Sequence, residues 1–524
     1  MSLMGGVAEA RRLKVASPID PPVSSSPLRV LRCPDFNRDG VVNNSDITAF
    51  STAFNANPAQ PAVDFDGNGQ GDVLDIVAFI ENFRAYQADP QPAVCGIEPP
   101  VPQGWTDLVP SSASRMIYVS SSTGSDSNPG TISLPYRTLA KGYSMLRSGQ
   151  PDYLYLKRGD TWRESLGLKK GVSPSARQVI TAYGTGARPR IAPGSLCDEA
   201  AITGLGSLSS FLALTDLEVD ATGCATAFRW GVDGGRDLLL EGNHFHDATS
   251  LVAIEGITDL TLRRNIFSRS STSDPGGGNF CLYLAKDHGN ILVEENVFDQ
   301  CGGMYDGRPA NLRGTAMYIQ QDTISTVRKN LITRSGGWGA HHRGGGVFSD
   351  NLIVDAAMGF QLGMLCGGCP DTPAPSNGVD VVADGNIVMD AHDVVTAQGI
   401  ERRGLGMWLE HIHSARITNT IIARKAGGTS PDSHAVEFHT DAGVGVNGVV
   451  FAGLKVFDWP GLNGVFTRVG GRLPQYSVSG LQTGGFENPY VGVTSVDIQN
   501  ALRMRRGTQD PVIYELLSRI RSGF

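Results

Sequence analysis

The chain has 524 residues, of which 65 are glycine and only 18% are charged, with a formal net charge of −8. That length exceeds one compact core unless the core grows in one dimension. A hydrophobic content of 40% excludes a disordered chain, and the lack of a dominant basic patch excludes nucleic acid as a partner.

No apolar run is long enough to span a membrane. Residues 1–16, MSLMGGVAEARRLKVA, hold no apolar stretch suited to a secretory signal. Either a signal has been removed or the protein leaves its cell another way, such as viral lysis. The eight cysteines, Cys33, Cys95, Cys197, Cys224, Cys281, Cys301, Cys366 and Cys369, are an even set. An even set suits an oxidising compartment with sequential pairing, Cys33 to Cys95 first, but buried thiols are the open alternative. The expected location is extracellular or on a virion surface.

Residues 1–32 are polar and end in a Pro/Ser-rich stretch, which reads as an arm. A small module follows over 33–95, and then a Pro-rich linker over 96–114. Within the module, DFNRDGVVNNSD places Asp35, Asn37, Asp39, Asn43 and Asp46 at loop positions 1, 3, 5, 9 and 12. Gly40 takes the sharp turn, and the Val41 carbonyl serves position 7. The segment DFDGNGQGDVLD repeats this with Asp64, Asp66, Asn68, Gln70, Asp72 and Asp75, offset by 29 residues. Calcium needs six to eight hard oxygens around one point, and each loop wraps them so. Each loop leads into an apolar helix, ITAFSTAF or IVAFIENF. With Asp at the final ligand position, the pair resembles the dockerin family. That resemblance implies two calcium ions, calcium-dependent folding, and a cohesin-like or virion partner.

Residues 115–493 change texture to short apolar runs broken by Gly, Asn and Asp. Segments of the form apolar–x–x–Asn–apolar recur at Asn243, Asn265, Asn296, Asn330, Asn351, Asn386 and Asn419. A period of 21 to 35 residues is that of a solenoid whose turns cannot bury their apolar faces alone. An asparagine at each corner can adopt a left-handed backbone and bond its counterpart one rung away. The array opens with IYVSSSTGSDSNPGT and PYRTLAKGYSML, the second reading as a helix over the open end. This entry and the repeats resemble the pectate-lyase-like superfamily of right-handed parallel β-helices. The resemblance implies a mainly β solenoid and leaves the activity open, because the fold hosts lyases, hydrolases, epimerases and tailspikes. The tail, 494–524, has helical periodicity and is expected to form two short capping helices.

Side chains alternate along a strand, so residues beside inward apolar positions face outward. That rule gives Tyr283, Tyr318 and Gln320, His341 and Arg343, Gln361, Trp408 and Glu410, then Glu437 and His439 on successive rungs. Aromatic rings stack on sugars and polar groups bond hydroxyls. Tyr283, Tyr318, Gln320, Gln361 and Trp408 are therefore candidate substrate contacts. A lyase needs a base next to a cation that neutralises a carboxylate, and His341 with Arg343 fits those roles. A hydrolase needs two carboxylates, for which Glu410 and Glu437 are candidates, with His439 beside them. His411, His413, His434 and His439 offer no closed zinc set. Cys366 and Cys369 lie in a Gly/Pro-rich stretch suited to a loop-pinning disulfide. The expected function is binding and β-eliminative cleavage of a polysaccharide. A homotrimeric tailspike or adhesin and a non-catalytic surface protein are the alternatives.

Overall fold

A computed structural model describes residues 36, 44–56, 63, 75–76, 78–80, 83, 105–204, 208–231, 234–270, 278–302, 314–364, 374–395, 401–402, 404–424, 433–459, 464–485, 492–506 and 511–524. The chain divides into two compact units, Met1–Pro99 and Pro100–Phe524.

In the first unit, helix α1 (Asn44–Ala56) buries Phe50 against Val63, Ala78 and Phe79. Phe50 and Phe79 are separated by the same 29 residues as the two loops, and their rings stack with centroids 4.2 Å apart. Asp46 and Asp75, the last ligand positions of the two loops, are both fully buried. The other expected calcium ligands and the Cys33 and Cys95 pair lie outside the described residues.

The second unit is a parallel β-helix. A complete coil contributes a strand to each of three stacks. The first stack is a 13-stranded parallel sheet from Met116–Val119 to Tyr476–Ser479. The second and third stacks merge into one 21-stranded sheet, because Leu331–His342 and Leu352–Leu362 run unbroken through the corner between them. Helix α2 (Leu139–Met145), capped by Thr138, lies over the first coil as expected. Its Gly142 is required by closeness, since a Cβ there would meet Val119 Cγ2 at 2.6 Å.

Inside, apolar residues stack coil on coil. Val219, Phe245, Phe267, Phe298, Ile332 and Ile353 are successive register partners, all buried. At the corner between the first and second stacks, Asn243, Asn265, Asn296, Asn330, Asn351 and Asn386 form a ladder. Each Nδ2 donates to the next Oδ1 over 2.9–3.1 Å. The left-handed backbone falls one residue earlier, at Arg264, Glu295, Lys329 and Asp350. Asn419 occupies that earlier position, with φ 49°, and Thr420 stands where the ladder residue would be. The expected seven-rung ladder therefore has six rungs: the motif ARITNTII is shifted by one residue against the strand that follows.

Helices α3 (Ser495–Ala501) and α4 (Ile513–Gly523) form as the tail periodicity predicts. They lie along the flank of the coil, where Ala501, Ile513, Leu516, Leu517 and Ile520 cover an apolar row on the outer face of the second stack. That row is Ile266, Val297, Leu331, Leu352, Ile387 and Ile421, in register. An outward apolar row must be covered, and the tail is the amphipathic partner available. The linker is also shorter than expected. Trp105 packs under Arg264, and Thr106 donates to the buried Glu241, so the segment from Trp105 onward belongs to the coil.

Two disulfides, Cys197–Cys224 and Cys281–Cys301, follow the sequential pairing. Cys366 and Cys369 lie outside the described residues.

Candidate functional site

Six of the sequence-selected residues form one column on the outer face of the third stack. Tyr283 pairs in register with Tyr318, Tyr318 with His341, His341 with Gln361, Gln361 with Trp408, and Trp408 with Glu437. Parallel strands without bulges keep side chains of equal parity stacked rung over rung. The column therefore follows directly from the alternation in each strand. Two residues further along lie Gln320, Arg343, Glu410 and His439, with Glu410 and His439 register partners. These residues are outside the coil yet largely shut off from solvent: His341, Arg343, Gln320, Gln361, Glu410 and Glu437 are all buried.

Arg343 is the hub. Its guanidinium carbon lies 4.1 Å from the centre of the Tyr318 ring, and Nη1 donates to the Tyr318 hydroxyl and to Gln320 Oε1 at 3.4 Å. Nη2 sits 3.1 Å from His341 Nδ1. Gln320 in turn donates to the Tyr283 hydroxyl at 3.5 Å. The Arg343 Nε is buried and has no hydrogen-bond partner. Burial pulls the Arg343 guanidinium below its usual pKa, and the hydroxyl of Tyr318 and the carboxylate of Glu410 act against that pull. Burial pushes the Tyr283 phenol up.

Further along, Trp408 Nε1 donates to Glu410 at 3.1 Å, and Glu437 is hydrogen-bonded to His439. Glu410 and Glu437 are offset by one rung and two residues, about 8 Å between Cα atoms at standard strand spacing. The sequence did not mark Trp338 and Phe280, which line the same face. Trp338 lies 4.7 Å from His341 and 5.4 Å from Trp408, and Phe280 lies 4.7 Å from Tyr318. Each stands three residues before its outward neighbour, the wrong parity for a regular strand. Trp338 and Phe280 stand in one column, in register through Thr315.

The four histidines considered for zinc do not converge. His411 is held by the Pro375 carbonyl at 2.7 Å, His413 by Asp380 at 2.9 Å, and His439 by Glu437. Among the described residues, Asp220, His246 and Asp247 bring three ligand-type atoms together. They are taken up by an ion network: Arg190 on Asp220, Arg269 on Asp247, and His246 between Asp247 and Glu218.

The fold and this face together define a parallel β-helix with an axial row of aromatic and polar side chains. No family model matches the sequence, and no curated protein is similar to it. Solved structures do resemble it. A rhamnogalacturonan lyase aligns with TM-score 0.43 and 12% identity over 76% of this chain and 94% of its own. A GH136 lacto-N-biosidase from Eubacterium ramulus aligns with TM-score 0.35 and 12% identity over 84% of this chain and 74% of its own. An alginate lyase from Paenibacillus sp. aligns with TM-score 0.30 and 13% identity over 66% of this chain and 95% of its own. No helix among the described residues is long and apolar enough to cross a membrane.

Proposed function

We propose that this protein binds a uronate-containing polysaccharide along the outer face of the third stack and cleaves it by β-elimination. The observation that carries this reading is Arg343, a buried cation within a column of aromatic and polar side chains, with its Nε still unpartnered. A buried donor without an acceptor costs about 1–3 kcal/mol, and a substrate carboxylate would supply the acceptor. The same contact withdraws charge from the carboxylate and so acidifies the proton on the adjacent carbon. Tyr283, Tyr318, Gln361 and Trp408 would hold successive sugar units.

Hydrolysis is the second reading. Its support is the placement of Glu410 and Glu437 on adjacent rungs of the same face, two carboxylates of the kind a hydrolase uses as acid and base.

The first unit would bind two calcium ions. Two fully buried carboxylates, Asp46 and Asp75, at matching loop positions support that assignment. Asp35, Asn37, Asp39, Val41 and Asn43 would complete the first site, and Asp64, Asp66, Asn68, Gln70 and Asp72 the second. A protein partner for this unit and an extracellular or virion location belong to the same proposal. The two disulfides support an oxidising compartment.

The test is a product assay on uronate-containing, sulfated and neutral polysaccharides, following unsaturated ends by ultraviolet absorbance and reducing ends in parallel. Unsaturated ends support the lyase. Reducing ends alone transfer the assignment to Glu410 and Glu437. Binding without either product leaves an adhesin, and a trimer in solution would then fit a tailspike.

A further inference from the structure

The hydrogen bonds around Arg343 distinguish the two groups able to move a proton. Tyr318 and His341 are register partners on adjacent rungs, with ring centroids 5.1 Å apart. Both touch the same guanidinium, through Nη1 at the Tyr318 hydroxyl and Nη2 at His341 Nδ1. A guanidinium has five hydrogens to donate and no lone pair to accept with. His341 Nδ1 must therefore be the acceptor, and the neutral ring carries its hydrogen on Nε2. A doubly protonated ring would point an N–H at the cation. His341 thus has its one lone pair committed to Arg343 and none left to take a proton.

Tyr318 is placed the other way round. Its oxygen accepts from Arg343, so its own hydrogen is directed elsewhere, and charge developing on that oxygen would face a cation 4.1 Å from the ring centre. The ring is further fixed by Phe280, with centroids 4.7 Å apart, and by Tyr283 at 5.8 Å.

We propose that Tyr318, and not His341, is the proton-transfer residue of this site; the assignment rests on the β-elimination reading. In the step, the Tyr318 oxygen, having released its hydrogen to solvent, takes the proton from the carbon next to the uronate carboxylate. The C–H electron pair becomes the new C4=C5 double bond, and the bond from C4 to its glycosidic oxygen breaks. That oxygen takes the proton back from Tyr318. One proton moves, no electron is gained or lost, and the tyrosine ends as it began. His341 is a positioning residue: its Nδ1 accepts from Arg343 and fixes the rotation of the guanidinium.

The experiment compares Tyr318→Phe and His341→Gln in the full chain, on whichever uronate polymer the native protein degrades to unsaturated ends. Tyr318→Phe is expected to lower kcat about a thousandfold with KM little changed, and His341→Gln about tenfold. Calorimetric binding of the same oligosaccharide by Tyr318→Phe, unchanged from the native protein, shows that the variant is folded. Native-like turnover in Tyr318→Phe, with turnover lost in His341→Gln, overturns the assignment while leaving the lyase intact. No unsaturated product from the native protein on any substrate removes the lyase reading and the assignment with it.

Discussion

The indole of Trp408 and the imidazole of His439 lie face to face, with ring centroids 3.4 Å apart and planes 7° from parallel. The pair bridges two rungs, since Trp408 is the register partner of Glu437 and His439 that of Glu410. Each ring also holds a carboxylate, Trp408 on Glu410 and His439 on Glu437. Trp408 therefore has two roles, as a sugar platform and as the group that orients Glu410. In a lyase centred on Arg343, Trp408→Ala removes a distal sugar contact worth about 1–2 kcal/mol, so KM rises about tenfold and kcat changes less. In a hydrolase the same substitution frees a catalytic carboxylate, and kcat falls with it. Steady-state rates on one polysaccharide separate the two.

The asparagine ladder gives a prediction about stability. Asn296 accepts from Asn265 through its Oδ1 and donates to the Leu262 carbonyl and to Asn330. Asn296→Ala strips partners from buried groups on both neighbouring rungs, a loss of about 2–4 kcal/mol. Asn419→Ala, at an exposed position outside the ladder, loses one bond to Asp384 and a residue suited to its left-handed backbone, and is expected to cost less, about 1 kcal/mol. Thermal unfolding followed by calorimetry should rank the two in that order, although the sequence motif treats them alike.

His342 makes stability depend on pH. It points into the coil, fully buried, with Nε2 3.0 Å from Ser325 Oγ. Burial pushes its pKa down to about 4, with the Ser325 contact opposing. In the unfolded chain the ring titrates near 6.5. Above that value the ring is neutral in both states and its contribution is intact. As pH falls below it, the unfolded chain takes a proton that the folded one refuses, and stability declines until the folded ring also titrates. The loss reaches about 3 kcal/mol near pH 4. His342→Gln should flatten the fall in melting temperature between pH 7 and 4.

The coil and the column were legible because both depend on strict periods. Alternation places Tyr318 outward between Met317 and Ile319, and a solenoid then stacks every such position without further information. What escaped the sequence depends on contacts across long separations. The buried row Glu241, Arg263, Glu294 and Arg328 alternates in charge on the outer face of the first stack, in register. The Glu241 and Arg263 end is covered by Thr106, far away in the chain, with Arg506 donating to the Thr106 carbonyl. No local pattern marks an outward Glu or Arg as buried. The same holds for the roles inside the site: composition pairs His341 with Arg343, and only the direction of their hydrogen bond separates a base from a donor.

The flank helices are the next case. Leu516 is fully buried against the outward apolar row, and Arg521 reaches the Gly385 carbonyl at 2.6 Å. Leu516→Ala should cost about 2–5 kcal/mol through the cavity it leaves. Leu516→Asp places a charge in the same site and should lift α4, exposing Ile266, Val297 and Leu331. Binding of a hydrophobic dye at native temperatures, with the coil still folded by circular dichroism, would register that detachment. Loss of the whole β signal instead would mean that the tail is integral to the coil.

Calcium should act on the first unit alone. Asp46 stands in the first turn of α1, where the helix N-terminus adds to the pull on an anion, and Asp75 repeats that position 29 residues later. The two loops supply oxygen ligands at calcium spacing, with these two carboxylates at their last positions. Titration of the full chain is therefore expected to show two calcium sites. Asp46→Asn and Asp75→Asn should each abolish one. Calorimetry with a chelator should lower the transition of the first unit and leave that of the β-helix in place, since the residues assigned to calcium all precede Pro99. A shift of both transitions, or binding that survives both substitutions, would place the ions elsewhere.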